Sequence, residues 1–184
     1  MDKSEPWYIH IVLYVIIAIL TLVLIKVAII DPKKIVDIEK YSKQESRLRM
    51  KDIKVAEMLW YKKHKRFSGS LDSLVTFLKT DPSVDSAKNA MDTLTNRSAN
   101  PFVDLSNGQF TPESLYYAPQ SHRQYTLNID TTTGVDTVVN RRGKIMKIDT
   151  VTKIGTLYYL EDPDGYGSIG SLTDSTQKNN ASWE

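Results

Sequence analysis

The chain has 184 residues, no cysteine, and a net charge of +2 from 24 Lys/Arg and 22 Asp/Glu. Without a thiol there is no disulfide framework, no thiolate nucleophile and no lipobox. The charge is uneven: residues 31–66 carry net +6 and residues 67–184 net −4, a basic stretch ahead of an acidic one that could meet each other or anionic lipid.

Residues 1–6 form a short polar flank. From Trp7 to Ile30 the sequence WYIHIVLYVIIAILTLVLIKVAII has only His10 and Lys26 as strongly polar side chains. As a helix this stretch is about 36 Å long, enough to cross a hydrocarbon core of about 30 Å with some tilt. The apolar run is too long for a signal-peptide core, and Asp31-Pro32-Lys33-Lys34 offers no small-x-small cleavage pattern. A retained single-pass anchor in the lipid bilayer is expected over 7–30, with Trp7 and Tyr8 at one interface and Lys26 snorkelling near the other. The lysines after the span outnumber those before it, which taken alone places the following domain in the cytoplasm; that rule weakens when a long domain follows.

Pro32 is expected to break or kink the backbone just past the membrane. From Lys33 to Arg66 the chain is rich in helix formers and has no Gly or Pro, so one long helix is expected. Its first part, 31–52, reads as a polar juxtamembrane stalk. Beyond it Ile53, Ala56, Leu59 and Trp60 fall at i, i+3, i+6 and i+7 and should pack against a head domain spanning 53–172. The run Lys62-Lys63-His64-Lys65-Arg66 fills a last helical turn, where cations complement the helix dipole; without interleaved aromatics it does not indicate a nucleic-acid partner.

Ser70 should cap a short helix from Leu71 to Lys79, buried through Leu71, Leu74, Val75, Phe77 and Leu78 and stopped by Asp81-Pro82. Weak helical character follows around Ser86–Leu94, then loops through Asn96-Arg97-Ser98. After Ser114 the period becomes strand-like: 115–117, 124–129, 135–139, 144–148 and 156–160 are short β-prone runs, punctuated by Gly134, Arg142-Gly143 and Gly155. Their spacing predicts an antiparallel meander covered on one face by the long helix. The polar tail, 173–184, reads as loose. The fold class expected is α+β.

No H-E-x-x-H, G-x-S-x-G, phosphate-loop or dinucleotide pattern occurs, and the three histidines, His10, His64 and His122, are scattered. No enzyme and no cofactor are expected. One cluster merits weighing: Glu161, Asp162 and Asp164 lie in a Pro/Gly turn, and hard oxygen ligands on a turn can hold Ca²⁺, although the spacing is not that of an EF-hand loop.

Three segments resemble a set of uncharacterised single-pass envelope proteins of Bacteroidetes-type bacteria: Arg49-Met50-Lys51-Asp52-Ile53-Lys54-Val55-Ala56 followed by Tyr61; Arg66-Phe67-Ser68-Gly69-Ser70-Leu71-Asp72-Ser73-Leu74 with Phe77 and Asp81; and Ile169-Gly170-Ser171-Leu172 with the closing Asn179-Asn180-Ala181-Ser182-Trp183-Glu184. This resemblance implies an envelope location and no established activity. More loosely, the membrane helix, the helix entering a small head, the Trp60-Tyr61 to Phe67-Ser68-Gly69 entry and the small sheet resemble type II secretion pseudopilins and type IV pilins. That likeness implies a head outside the inner membrane and, in some pseudopilins, a late calcium loop. No Gly precedes the apolar run and no Glu is its fifth residue, so prepilin-type processing is not expected. Together these readings lead to a single-pass inner-membrane protein with a periplasmic head, a structural or interaction subunit partnered by envelope proteins or by itself. The alternative is a ligand- or calcium-binding module on a tether.

Overall fold

The computed structural model describes residues 7–92, 97–140, 143 and 145–184. The expected flank 1–6, part of the expected weak helix and loop at 93–96, and Arg142 and Lys144 of the expected β turn and strand lie outside the described residues. The architecture is α+β: helices α1 (Trp7–Ile25), α2 (Asp31–His64), α3 (Leu71–Thr80) and α4 (Pro82–Lys88), then strands β1 (Thr126–Val139), β2 (Ile145–Glu161) and β3 (Ser168–Gly170). Two compact units divide it, one up to Ser42 and one from Lys43 onward.

In the first unit, α1 is apolar all round and none of its residues is buried, so in water nothing offsets the exposure of its side chains. The helix is long and apolar enough to cross a membrane. The Thr21 hydroxyl donates to the Ile17 carbonyl at 2.8 Å, so that group is satisfied within the helix. Pro32 does not break the chain. A π-helical segment, Lys26–Ile30, separates α1 from α2, and the Asp31 N–H donates to the Lys26 carbonyl. That bond reaches back five residues rather than four, and the wider turn gives the proline ring room against the carbonyls before it.

In the second unit α2 is the spine. This unit opens at Lys43, and Glu45, Ser46 and Met50 are buried in it, so the head starts ten residues earlier than the 53 expected from apolar spacing, and the stalk is correspondingly shorter. Ile53 and Ala56 are fully buried, and Leu59 and Trp60 are partly buried against the same cluster. The helix stops at His64, and Lys65 takes a left-handed conformation with φ 58°, a position usually given to glycine. Phe67, Leu74, Val75, Phe77 and Leu78 complete the core's α3 side, with Tyr158, Leu160 and Ile169 on the sheet side. Asp81 ends α3 and caps α4, its Oδ1 accepting from Ser83 N–H at 2.9 Å, with Pro82 opening the new helix. The weak helix expected around residue 86 therefore begins earlier, at Pro82.

The sheet is three antiparallel strands in the order β1-β2-β3. In place of five short runs there are two long ones and a short third. Gly134 pairs with Val151 inside the ladder instead of ending it. Near Asp130 the register shifts, and the Asp130 carboxylate bridges the gap, accepting from Leu157 N–H and Thr156 Oγ1 at 2.6 Å each. Gly155 sits there at φ 69°, its carbonyl accepting from Phe67 N–H at 2.8 Å, so the break in register is also where the chain leaving α2 attaches. Residues 115–117 are not a strand: a 3₁₀ turn, Pro112–Leu115, precedes a single bridge between Tyr117 and Gln124.

The tail is docked, contrary to its polar composition. Ala181 bridges to Ile169, Ser182 N–H donates to the Ser168 carbonyl at 2.9 Å, and Trp183 packs on the core. Arg47 lies 5.0 Å from the Trp183 ring centroid and Lys178 lies 4.4 Å from that of Tyr61, cation–aromatic contacts that clamp the tail. Gly170, at φ 85°, makes this docking possible: a Cβ there would collide with the Tyr158 carbonyl oxygen and crowd that of Lys178. Gly170→Ala is expected to cost at least about 2 kcal/mol, read as a lowered melting temperature. Gly108→Ala, with φ 76° but open space around it, should cost only about 1 kcal/mol.

Candidate functional site

Among the described residues five carboxylates in the head are buried: Glu45, Asp52 and Glu57 on α2, with Asp130 and Asp162 on or beside the sheet. Each accepts from a main-chain amide. Glu45 Oε2 accepts from Ser106 N–H at 3.0 Å, Asp52 Oδ1 from Val103 N–H at 2.8 Å, and Glu57 Oε2 from Ser68 N–H at 2.9 Å. Two loops with no strand to pair with, the one through Ser68 and the one through Val103 and Ser106, are thus held on one helix by charge-capable acceptors.

Burial pushes the Asp52 carboxyl up to about 7, against the Val103 amide, with Asp104 and Glu45 adding to the rise. It pushes Glu57 up to about 8, against the Ser68 amide. Asp52 Oδ2 and Glu57 Oε1 are buried without a hydrogen-bond partner among the described residues, where a proton is better tolerated than a charge. Burial also acts to raise Glu45, but the bonds from Ser106 and Arg49 outweigh it and hold that carboxyl below its ordinary value.

The acidic turn is tied into the head through Asp162 and Asp164. Glu161 is exposed while Asp162 is buried. Asp162 Oδ2 accepts from Ser46 Oγ, whose oxygen also lies 2.9 Å from Tyr125 Oη, and Asp162 Oδ1 accepts from Asp164 N–H at 2.7 Å. Asp164 in turn accepts from Ser121 N–H at 3.2 Å and pairs with Arg123 at 3.4 Å. Among the described residues no three His, Asp or Glu side chains are gathered to hold a metal ion. The three carboxylates Glu161, Asp162 and Asp164 are not brought together; two of them tie the turn to α2 and to the 121–123 loop.

An open furrow follows the C-terminal half of α2. One depression of about 270 Å³ is lined by Val55, Met58, Leu59, Lys62 and the alanines at 87, 90 and 99. It shares Leu59 and Lys62 with a second of about 620 Å³, which shares Lys63 and Asp81 with a third of about 470 Å³. The third is walled by Trp60, His64 and Phe77, with the Trp60 and His64 rings 4.1 Å apart and Phe77 edge-on to Trp60 at 5.3 Å. Lys63 and Asp81 in its lining pair with each other.

Of the residues marked by sequence, Ile53, Ala56, Leu59 and Trp60 join the head. Trp7 and Tyr8 lie in the first turn of α1, and Lys26 opens the π segment. Apolar spacing alone missed Glu45, Asp52 and Glu57. A usable signal existed: Met50, Ile53 and Glu57 fall at i, i+3 and i+7, so the acid sits on the apolar stripe. The chain matches no protein-family model, no curated protein and no solved structure.

The raised carboxyls set a pH dependence. Their stabilising effect is fully present below the unfolded values near ~4 and is lost as pH rises through the folded values, because the native state holds protons that the unfolded state releases. Stability should therefore fall between about pH 5 and pH 8, and the double variant Asp52→Asn, Glu57→Gln should flatten that slope in denaturant titrations at several pH values. Asp162→Ala, which strands Ser46 and the Asp164 amide, is expected to cost about 1–3 kcal/mol, with the same loss of melting temperature with and without millimolar calcium.

Proposed function

We propose that the protein is a membrane-anchored, non-catalytic structural or interaction subunit of a bacterial envelope assembly, inserted in the inner membrane by residues 7–30 with its head in the periplasm. The observation that carries this reading is the use of the head's buried carboxylates. Glu45, Asp52, Glu57, Asp130 and Asp162 each hold main-chain amides, which is scaffold work rather than acid–base work on a substrate. The long α2 leading into a head with an antiparallel sheet supports a pseudopilin-like architecture, at the level of analogy between folds. A binding module remains the second reading, favoured by the aromatic wall of Trp60, His64 and Phe77.

Two measurements test the proposal. A periplasm-active reporter fused after Glu184 should be active, and a cytoplasm-active one silent; the reverse pattern refutes the orientation. Purification from native membranes in mild detergent should recover the chain in a complex, with itself or with other envelope proteins. Recovery as a lone monomer would count against an assembly role.

A further inference from the structure

We propose that the projecting part of the hairpin, residues 131–139 of β1 with the facing part of β2, pairs edge to edge with the same segment of a second copy of this chain. The sheet order places β1 at one end, and among the described residues no strand or main-chain hydrogen bond covers its outer edge. The outer edge of β2 is covered by β3 at Tyr159–Glu161 and met by the Phe67 amide at Gly155; over 145–154 no described strand covers it either, but there the sequence carries Lys147 and Lys153, the residue type that blunts an open edge. An open edge presents a row of amides and carbonyls that only another extended strand satisfies along its length. Strands that must stay unpaired are blunted by proline or lysine, and the sequence of β1, TLNIDTTTGVDTVV, has neither.

The flanking face points the same way. Met146, Ile148 and Ile154 are 67%, 61% and 46% exposed. The ladder sets Ile148 opposite Thr137, Thr152 opposite Thr133 and Ile154 opposite Thr131, so every one of these residues is uncharged. A two-stranded ribbon of this kind is marginal alone in water. Antiparallel pairing of two β1 edges about a two-fold makes four strands and joins two uncharged faces into one.

Size selects the second copy as the occupant. Eight paired residues span about 27 Å, and an edge contact of that length falls short of the roughly 800 Å² per partner typical of stable complexes. The partner must therefore arrive at high local concentration, which copies held in one bilayer supply. The inference thus rests on the membrane anchor of the proposed function, though not on any other envelope partner.

The absence of cysteine makes the test clean. Single cysteines are placed in turn from 131 to 137 in the full-length protein, reconstituted in lipid vesicles and oxidised, with exposed Ser73 and Ser175 changed to cysteine as controls. Covalent dimer should peak at one or two adjacent positions near the two-fold, where Cα atoms come within about 4.4–6.8 Å. It should fall at least about five-fold at the controls and when Thr133→Lys blunts the edge, with the melting temperature unchanged by that exposed substitution. A flat scan, equal yield at the controls, or a peak indifferent to the lysine overturns edge pairing. Flotation with the vesicles separates the two claims. A chain that floats yet gives no peak contradicts the pairing alone, and one that does not float contradicts the anchored reading and the pairing with it.

Discussion

The head depends on carboxylates of one helix accepting amides from loops that have no other partner. Glu57 fixes Ser68, where the chain turns from α2 to α3; Asp52 and Glu45 fix Val103 and Ser106, in a stretch without strands. Ser68 is buried, and a buried loop amide left unpaired costs about 1–3 kcal/mol; Val103 and Ser106 are exposed, and there the carboxylates fix where the loop lies. The cost is transferred to the carboxylates, and burial answers it by keeping Asp52 and Glu57 protonated up to about 7 and about 8. Where further donors are at hand, as with Ser106 and Arg49 at Glu45, the charge is kept instead.

The same device recurs in the sheet. Asp130 spans a register shift that would otherwise leave Leu157 N–H without an acceptor, and Asp162 ties the turn after β2 to Ser46 on α2. The core around Met50, Ile53, Leu74, Tyr158 and Leu160 supplies the apolar burial, while the acids set which loop sits where. Past Asp130 and Gly155 that support ends, and the hairpin continues as a two-stranded ribbon.

Periodicity made the helices legible. The apolar run of 7–30, the long helix from the 30s to the 60s and all five buried positions of α3 follow from spacing alone, because each has a face that must be buried or immersed in lipid. Pro32 misled because a π turn can absorb a proline. Gly134 and Gly155 misled because a glycine inside a long antiparallel ladder marks a pairing or a bulge as readily as an end. The tail looked loose because Lys178 and Trp183 bind through cation–aromatic contacts that polarity does not register. In the acidic turn composition shows only carboxylates near each other in sequence, and does not register that the fold turns Asp162 inward and leaves Glu161 outside.

Amide hydrogen exchange tests the central claim most directly. If α2's carboxylates hold the loops, the amides of Ser68, Val103 and Ser106 exchange as slowly as those of the core ladder around Tyr158 and Leu160, and Glu57→Ala, Asp52→Ala or Glu45→Ala speeds exchange at its own partner first. Fast exchange of all three amides in the unmodified protein, at the rates of open loops, would contradict the account.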